Sequence, residues 1–389
     1  MRILFMPFSA PSHYLPMVPL LWAFRAAGHH TRVVGQPAIE SAVVGSGTPM
    51  ITVAASFDLL AEAQRDRGPL NSPDSDPIAR FRAMTKVHTA LARTITADTV
   101  SLCRDWRPDL VVGDPLMLAA PIVAGHAGVP LVKQLWGPDI IRTFGYPGAG
   151  QPLDQWPESL RDLHAAYGLD PQPESGAGSV DPCPPGLRIG AAPSRIPMRY
   201  LPYNGATVVP PDLLAPPKKR RVLVTWGTML IRREGLLGFP IADVVSALED
   251  FDVEIVLAVT GRDRELTRDL PATVRVAEQL PLDAILPTCD AIVHHGGGGT
   301  LMTAACHGVP QVAITATPDV MASCAPMAAA GAGFEIPVAA ATAERVTSAI
   351  SEVLTNERIR SAADHLRHDM AAMPAPSEVV AHLTTSARQ

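Results

Sequence analysis

The stretch AIVHHGGGGT, residues 291–300, has a strand-like beginning, four consecutive glycines and a helical continuation that ends at Gly308. The glycines let a ligand approach the backbone closely, because no Cβ atom intervenes. A helix that begins beside them presents free N–H groups and the positive end of its dipole. The stretch therefore predicts a phosphate site between a strand and a helix.

Side chains in and near this loop offer further donors. The hydroxyl of Thr300 can donate, and His295 can donate in its neutral or its charged form. A second cluster, Trp226-Gly227-Thr228, follows another strand of the same half of the chain. The alternative interpretations are a flexible glycine loop with two incidental histidines and a plain strand-to-loop turn. We favour the phosphate site, because both clusters fall at strand ends where one ligand can reach them.

The strand–helix alternation around these motifs extends over both halves of the chain. It predicts the α/β class, with two Rossmann-like, doubly wound parallel-sheet domains that face each other across a deep cleft. Residues 137–215 are dense in proline and glycine, which indicates long loops, and Val208–Lys219 resembles a linker. The predicted strands are residues 2–6, 30–34, 110–112, 129–135, 222–224, 251–259, 291–294 and 311–314; the predicted helices are about 16–28, 117–127, 300–307, 319–330, 342–354, 356–370 and 376–388.

Length and composition exclude several classes of protein. The 389 residues suit two domains, and the 47% apolar content allows each a core. A net charge of −6, with one short basic cluster at Lys218–Arg221, argues against nucleic-acid binding. No GxGxxG or GxxxxGK[ST] motif is present, which argues against an NAD enzyme and an ATPase. Five widely spaced cysteines without zinc-site spacing, no signal peptide and no membrane-length apolar run indicate a cytoplasmic protein.

The motif His294–Thr300, followed by Gly308-Val309-Pro310-Gln311, resembles the C-terminal signature of glycosyltransferases with the GT-B fold. The resemblance is strongest to actinomycete enzymes that glycosylate antibiotics, in the family that includes plant and mammalian UDP-sugar transferases. It covers nearly the whole chain and includes the N-terminal strand–turn–helix with His13 and Pro16. It implies an enzyme of the hexosyltransferase class. It also implies an acceptor domain over residues 1–212, with the C-terminal segment 373–389 packed back on it, and a donor domain over 213–372.

The resemblance also implies catalytic roles. His13 matches the general base that takes the acceptor's hydroxyl proton, and Asp114 matches an acid that orients this histidine. The chemistry suits these residue types, because a histidine with a pKa near neutrality is an efficient base. A carboxylate on its other nitrogen fixes the tautomer and stabilises the imidazolium. The alternative for Asp114 is that it caps the following helix.

The donor-binding residues follow in the same way. The backbone near Leu280 matches the segment that holds the nucleotide base, and Asp319 matches an acid that contacts the sugar. The chain has Asp319-Val320 where the family usually has Asp-Gln, and valine cannot bond a ring hydroxyl. We therefore expect a deoxysugar linked to TDP, with UDP as the alternative nucleotide. The residues matched to the diphosphate and its surroundings are Trp226, Gly227, Thr228, His295, Gly297, Gly298, Gly299 and Thr300.

The sequence gives less information about the acceptor-binding site. Trp136 and Phe144, with Tyr146, suit a flat apolar acceptor such as a natural-product aglycone, but core packing explains them equally well. Asp139 belongs either to a loop or to this pocket. We expect no metal, no cofactor beyond the nucleotide-sugar co-substrate and no membrane partner. The oligomeric state, a homodimer included, and attack by carbon rather than oxygen stay open.

Two alternative functions share this pattern. A sugar-nucleotide epimerase can have the same two-domain architecture, and a catalytically silent helper protein can keep the fold of a partner transferase. His13 and the loop-rich apolar N-terminal half favour an inverting glycosyltransferase over the epimerase. The intact base and phosphate loop argue against the helper protein.

Overall fold

Two separate parallel sheets organise the chain. The structure, a computed structural model, describes residues 1–59, 61–62, 77–227, 241–260, 267 and 270–387; for residues 77–82, 212 and 214 it describes the backbone alone. Two compact units result from the internal contacts. Unit 1 comprises Met1–Pro182, Ile189–Met198 and Pro374–Gln389, and unit 2 comprises Cys183–Arg188 and Arg199–Met373.

Unit 1 contains a seven-stranded sheet with the order β3-β2-β1-β4-β5-β6-β7, in which all neighbouring strands are parallel. The central strand β1 pairs with β4 in the register Met6↔Gly113, so the residues that follow both strands emerge at the same edge. The strands are β1 (Arg2–Met6), β2 (His30–Gly35), β3 (Met50–Thr52), β4 (Leu110–Gly113), β5 (Leu131–Gln134), β6 (Gly178–Asp181) and β7 (Arg195–Pro197).

Unit 2 contains a six-stranded parallel sheet with the order β10-β9-β8-β11-β12-β13. Buried aliphatic residues cover both faces of this sheet, as expected for a doubly wound unit. Two such parallel sheets confirm the predicted α/β class. The strands are β8 (Arg220–Thr225), β9 (Val253–Val259), β10 (Val274–Glu278), β11 (Ala291–His294), β12 (Gln311–Thr315) and β13 (Gly333–Pro337).

The helices of the described residues lie mainly between these strands. Several of them were absent from the sequence prediction, and the longest of these is the 30-residue helix Pro77–Trp106. The helices are α1 (Pro11–Tyr14), α2 (Val18–Ala26), α3 (Glu40–Gly45), α4 (Pro77–Trp106), α5 (Ala119–Ala127), α6 (Ile140–Thr143), α7 (Glu158–Ala166), α8 (Pro211–Leu214), α9 (Ile241–Glu249), α10 (Leu282–Ile285), α11 (Gly298–Cys306), α12 (Pro318–Ala329), α13 (Ala343–Thr355), α14 (Glu357–Ala371) and α15 (Pro376–Ser386).

The segment after β1 is more finely divided than the sequence predicts. A single helix was expected to begin near Pro16, but α1 already begins at Pro11 and a 3₁₀ turn over Leu15–Met17 separates it from α2. Prolines at the start of each piece lack an N–H group and favour new helix starts over a continuous hydrogen-bond ladder. The predicted end at Gly28 is confirmed, since this glycine has a φ of 83° in the left-handed region.

The proline- and glycine-rich segment 137–215 contains more regular structure than expected. It holds β6, β7, α6 and α7 in addition to loops. The expected linker Val208–Lys219 includes α8, and its Leu213 is buried in the core of unit 2. At the end of the chain, α15 belongs to unit 1 and packs against α2.

Candidate active site

The first candidate cluster lies at the carboxyl edge of the sheet in unit 1. His13 lies on α1, just after β1, and Asp114 directly follows the neighbouring strand β4. The His13 Nδ1 atom is 2.8 Å from the Asp114 Oδ2 atom. The other carboxylate oxygen, Oδ1, accepts a hydrogen bond of 2.8 Å from the N–H of Leu116. Asp114 thus holds its own turn with one oxygen and the imidazole with the other.

This hydrogen bond decides the tautomer of His13. An ionised carboxylate only accepts, so Nδ1 carries the proton that it donates to Asp114. The remaining ring nitrogen, Nε2, is then the one with a free lone pair. The side chain of His13 is 15% exposed, whereas that of Asp114 is 1% exposed. The pair therefore combines a buried carboxylate with an imidazole that keeps contact with solvent.

Aromatic rings surround His13. The Trp136 ring centroid is 4.3 Å from that of His13, and the Phe8 centroid is 5.3 Å from it. The structure therefore brings the predicted Trp136 to the imidazole. Phe144 is 7% exposed at the end of α6. Phe8 was not singled out from the sequence, although its position in the turn between β1 and His13 was a usable signal.

Behind Phe8 lies a buried polar pair that sequence reasoning missed. The ring of His88, on α4, is 4.7 Å from that of Phe8, and its Nδ1 atom is hydrogen-bonded to the hydroxyl of Tyr146. Burial, with a smaller contribution from the Asp114 charge, raises the pKa of Tyr146 well above its usual value. The Tyr146 hydroxyl therefore keeps its proton. Complete burial of Tyr146 places it in the core of unit 1.

Asp139 and its neighbours hold the loop that follows Trp136. Asp139 caps α6 by accepting from the Arg142 N–H at 3.1 Å, and burial raises the pKa of its carboxyl group. The guanidinium of Arg142 bonds Glu174 at 2.7 Å, and the same Glu174 accepts from the buried Lys133 at 2.9 Å. Lys133 also donates to the carbonyl of Gly148 at 2.7 Å. These contacts attach the loop after Trp136 to β5 and to the segment around Glu174, and we call them the ion cluster of this loop.

The second candidate cluster lies at the carboxyl edge of the sheet in unit 2. Trp226 and Gly227 follow β8, His295 to Thr300 follow the adjacent β11, and the register His294↔Thr225 aligns the ends of these two strands. Asp319 is in the first turn of α12, after β12, and Leu280 follows β10. Every predicted donor residue in the described part of the chain is thus at one edge. Thr228 lies outside the described residues.

The first histidine of the motif is a structural residue. His294 is fully buried; its Nδ1 atom accepts from the Gly296 N–H at 3.1 Å, and its Nε2 atom donates to Gln311 Oε1 at 3.0 Å. Burial, reinforced by the adjacent His295, lowers the pKa of His294 to about 3. The neutral ring therefore holds the glycine-rich turn against β12.

The second histidine has a different environment. A Cβ atom on Gly227 would lie 2.7 Å from His295 Nε2, and one on Gly297 would lie 2.8 Å from His295 Cε1. Two glycine backbones therefore flank this ring, and both positions exclude any side chain. Burial lowers the pKa of His295 to about 4, so the ring is neutral near pH 7. Its Nδ1 atom is buried and has no hydrogen-bond partner among the described residues.

The start of α11 has the features of an anion site. Its N-cap is Gly297, no side chain caps the first N–H groups, and no acidic residue lies in the first turn. Thr300 is in this turn, since the helix begins at Gly298, two residues earlier than predicted. A Cβ atom on Gly296, whose φ is 88°, would be 3.3 Å from the Cβ of Val320. Val320 of α12 therefore lies directly against the glycine-rich turn.

In the ranges that the structure describes, no three His, Cys, Asp or Glu side chains are grouped so that they could hold a metal ion. None of the described helices has the length and apolar character needed to cross a bilayer.

The chain is similar to known families and structures over nearly its whole length. Residues 22–227 match the family model "Erythromycin biosynthesis protein CIII-like, N-terminal domain", and residues 242–385 match the corresponding C-terminal domain. The 3-alpha-mycarosylerythronolide B desosaminyl transferase of Saccharopolyspora erythraea is 35% identical over 98% of this chain and 97% of its own length. The TDP-daunosamine transferase of Streptomyces peucetius is 33% identical over 98% of this chain and 95% of its own length.

Solved structures give the same result. A spinosyn rhamnosyltransferase superposes with a TM-score of 0.85 and 29% identity, over 99% of this chain and 100% of its own. The glycosyltransferase VinC in complex with dTDP superposes with a TM-score of 0.82 and 30% identity, over the full length of both chains. The two parallel-sheet units and these matches define a natural-product glycosyltransferase with the GT-B fold, as predicted. The chain belongs to the erythromycin biosynthesis protein CIII-like family.

Proposed function

We propose that this enzyme transfers a deoxysugar from a TDP-sugar to a hydroxyl group of a hydrophobic natural-product aglycone, with inversion at the anomeric carbon. The names of the relatives support the substrate class, since they include desosaminyl and daunosamine transferases. Spinosyn rhamnosyltransferase structures with thymidine diphosphate and with spinosyn aglycone support the two substrate types. The observation that carries the mechanism is the His13–Asp114 hydrogen bond.

In the proposed reaction, His13 Nε2 accepts the proton of the acceptor hydroxyl while the acceptor oxygen attacks the anomeric carbon. The bond from that carbon to the diphosphate oxygen breaks, and TDP leaves with the electron pair. A single displacement of this kind inverts the anomeric centre. Asp114 stabilises the imidazolium that forms, because its carboxylate bonds Nδ1. Trp136 and Phe8 restrict the tilt of the ring.

The charge of the leaving diphosphate is stabilised at the start of α11. The uncapped N–H groups and the helix dipole point towards a bound anion and need no reorganisation during the reaction. Neutral His295 contributes as a hydrogen-bond donor, and the Thr300 hydroxyl adds another. This arrangement supports a mechanism without a metal ion or a resident cofactor.

The preference for a deoxysugar rests on Val320. Its side chain lies beside Gly296, next to the proposed diphosphate site, and follows Asp319 in the first turn of α12. An apolar side chain offers no hydrogen bond to a ring hydroxyl and suits a carbon that lacks one. Asp319 remains the polar partner proposed for the hydroxyl groups that the sugar keeps.

Calorimetric titration with TDP and UDP, in buffer with a metal chelator, tests the donor site. We expect tight binding of TDP, weaker binding of UDP, and a large loss of TDP affinity for Thr300→Val. His126→Gln, at an exposed position on α5, is the matched surface control. Absence of TDP binding by the wild-type enzyme would contradict the donor-site assignment.

Product analysis tests the reaction itself. Incubation of a TDP-2,6-dideoxyhexose with a macrolactone or an anthracyclinone should yield a glycoside whose anomeric configuration, read by NMR coupling constants, is opposite to that of the donor. His13→Gln should abolish turnover and leave TDP affinity unchanged. Retained configuration, or full turnover by His13→Gln, would refute the proposed mechanism.

A further inference from the structure

The turn that carries His13 is attached to a second strand besides β4. The Gln134 Nε2 atom donates a 2.8 Å hydrogen bond to the backbone carbonyl of Pro16, across 118 residues of sequence. Gln134 is the last residue of β5, two positions before Trp136, and is 2% exposed. The 3₁₀ turn that contains Pro16 directly follows α1 and therefore His13.

The Pro16 carbonyl lacks the partner that a 3₁₀ turn would give it. In a 3₁₀ turn its hydrogen bond would come from the N–H of residue 19, and that residue is a proline. A buried carbonyl without a donor is unfavourable. The side chain of Gln134 supplies the donor that Pro19 cannot.

The orientation of the Gln134 amide is determined by its partner. A carbonyl oxygen only accepts, so the NH₂ group of the amide must face Pro16. The other end of the amide, Oε1, is buried without a hydrogen-bond partner among the described residues. A buried oxygen without a partner is unfavourable. The useful part of the Gln134 side chain is therefore the NH₂ group, which donates to Pro16.

We propose that Gln134 is a positioning residue for His13, acting through the Pro16 carbonyl; this inference rests on the proposed role of His13 as base. Two neighbouring strands hold the histidine. Asp114, after β4, sets the orientation of the imidazole ring, and Gln134, at the end of β5, sets the backbone from which the ring projects. Because Gln134 also precedes Trp136, one strand end positions both the histidine turn and the ring packed against it.

The experiment compares Gln134→Met with Gln36→Met. Methionine has a similar size and no donor, so the first variant removes the bond to Pro16. Gln36 is an equally buried glutamine of unit 1 that donates to the carbonyls of Ala54 and Phe57 at 3.2 and 2.9 Å. Its substitution removes the same kind of bond, here to the segment after β3, and leaves the bond between Gln134 and Pro16 in place. If Gln134→Met does not fold, Gln134→Glu keeps the shape of the side chain and still removes the donor.

Two readouts separate positioning from stability. In ¹⁵N-histidine NMR spectra, with His13 assigned by its loss in His13→Gln, the His13 signals should move in Gln134→Met and stay in place in Gln36→Met. In turnover with the macrolactone or anthracyclinone, kcat should fall about tenfold for Gln134→Met, with the donor KM unchanged, as expected for a small misplacement of a catalytic group.

The outcomes distinguish the inference from the proposed function. Unchanged His13 signals in Gln134→Met overturn the inference, whether or not turnover is observed. Equal losses of kcat in the two glutamine variants also overturn it, because stability alone then explains the effect. Full activity of His13→Gln refutes the role of His13 as base, and the NMR shift still reports whether Gln134 positions the ring.

Discussion

Three histidines of the predicted sites differ in what surrounds their ring nitrogens. His13 has a carboxylate on Nδ1 and partial exposure, His294 uses both nitrogens inside the core, and His295 is buried with one nitrogen unpaired. Residue type and position after a strand were enough to predict that His13 and His295 belong to sites. The sequence left the charge state of His295 open, because burial depends on neighbours such as Gly227 that are 68 residues away in the chain.

The hydrogen bond between Asp114 and His13 leads to a prediction for Asp114→Asn. The asparagine can still accept from the Leu116 N–H, so the turn should keep its shape. Without the carboxylate, the imidazole loses the preference for the Nδ1–H tautomer and the stabilisation of its charge. We expect kcat to fall by about 10²–10⁴ with little change in KM.

Steady-state kinetics check this prediction. Asp290→Asn is the control, because Asp290 also accepts from a backbone N–H, that of Arg221 at 2.9 Å, but lies in unit 2 away from the predicted site residues. A kcat for Asp114→Asn close to that of Asp290→Asn would mean that the carboxylate serves the turn alone.

The buried histidines make the stability of unit 2 depend on pH. Their folded pKa values, about 3 for His294 and about 4 for His295, lie below the 6.5 of an exposed histidine. Between these values the unfolded chain binds more protons than the folded one, so the free energy of unfolding decreases as the pH falls below 6.5. The Tm of His295→Gln should therefore decline less steeply with acidification than that of the wild type.

Thermal melts in a series of buffers between neutrality and the pKa of His295 measure this slope. His365→Gln, on the exposed face of α14, is the matched control and should reproduce the wild-type slope, because its ring is not buried in the folded state. Parallel curves for the wild type and His295→Gln would show that other groups dominate the acid transition.

At the scale of elements, the contact between the glycine loop and His295 predicts the effect of Gly297→Ala. The new methyl group would overlap the ring, so the loop between β11 and α11 must shift. The N–H groups at the start of α11 then move away from the diphosphate, and TDP affinity should fall by about tenfold or more. Gly45→Ala, in a helix of unit 1 with open space around the position, is the matched control. Unaltered TDP binding by Gly297→Ala would show that the loop tolerates the methyl group.

The elements that the sequence predicted best are those whose pattern is local. Buried strands such as β1, β4 and β11 are short apolar runs that end at glycine, histidine or proline, and they were located within one or two residues. The helix α4 was missed because no cap or periodic stripe was recognised in a polar stretch. β6 and β7 were missed because they are short and lie among prolines, and their pairing partners are distant in sequence. Pairing of this kind depends on tertiary packing rather than on propensity.

The ion cluster that holds the loop after Trp136 leads to a prediction for Glu174→Gln. Glu174 neutralises Lys133, which is 6% exposed, and also bonds Arg142. Removing its charge leaves the buried ammonium without a carboxylate, with only neutral acceptors, the Gly148 carbonyl and the new amide oxygen. We expect unit 1 to lose about 1–3 kcal/mol, less than for a fully buried pair because Glu174 is one-third exposed. The acceptor KM should rise with the donor KM unchanged.

Chemical denaturation and kinetics with varied acceptor concentration test the role of this ion cluster. Glu357→Gln removes an exposed ion pair with Arg360 and should change neither quantity. A stable Glu174→Gln with a normal acceptor KM would mean that the loop does not need the ion cluster.

At the scale of the whole molecule, the chain returns to unit 1 at its C-terminus. The helix α15 buries Val379, Val380 and Leu383, each at most 4% exposed, and packs against α2. Each such side chain contributes about 1.5–3 kcal/mol when it is buried. Their sum is comparable with the whole stability of a typical domain, about 5–15 kcal/mol. Deletion of residues 374–389 should therefore unfold unit 1, including the α2 segment that follows the His13 turn.

Unit 2 keeps its own sheet and core in this truncated chain, so its binding of TDP should survive the loss of glycosyl transfer. Calorimetry with TDP and differential scanning calorimetry measure the two effects separately. Removal of residues 387–389 alone leaves α15 complete and should leave both the melting curve and turnover unchanged. If the chain that ends at Met373 melts like the full-length enzyme, α15 does not hold unit 1 together. If TDP binding disappears along with unit 1, the donor site depends on more of the chain than unit 2.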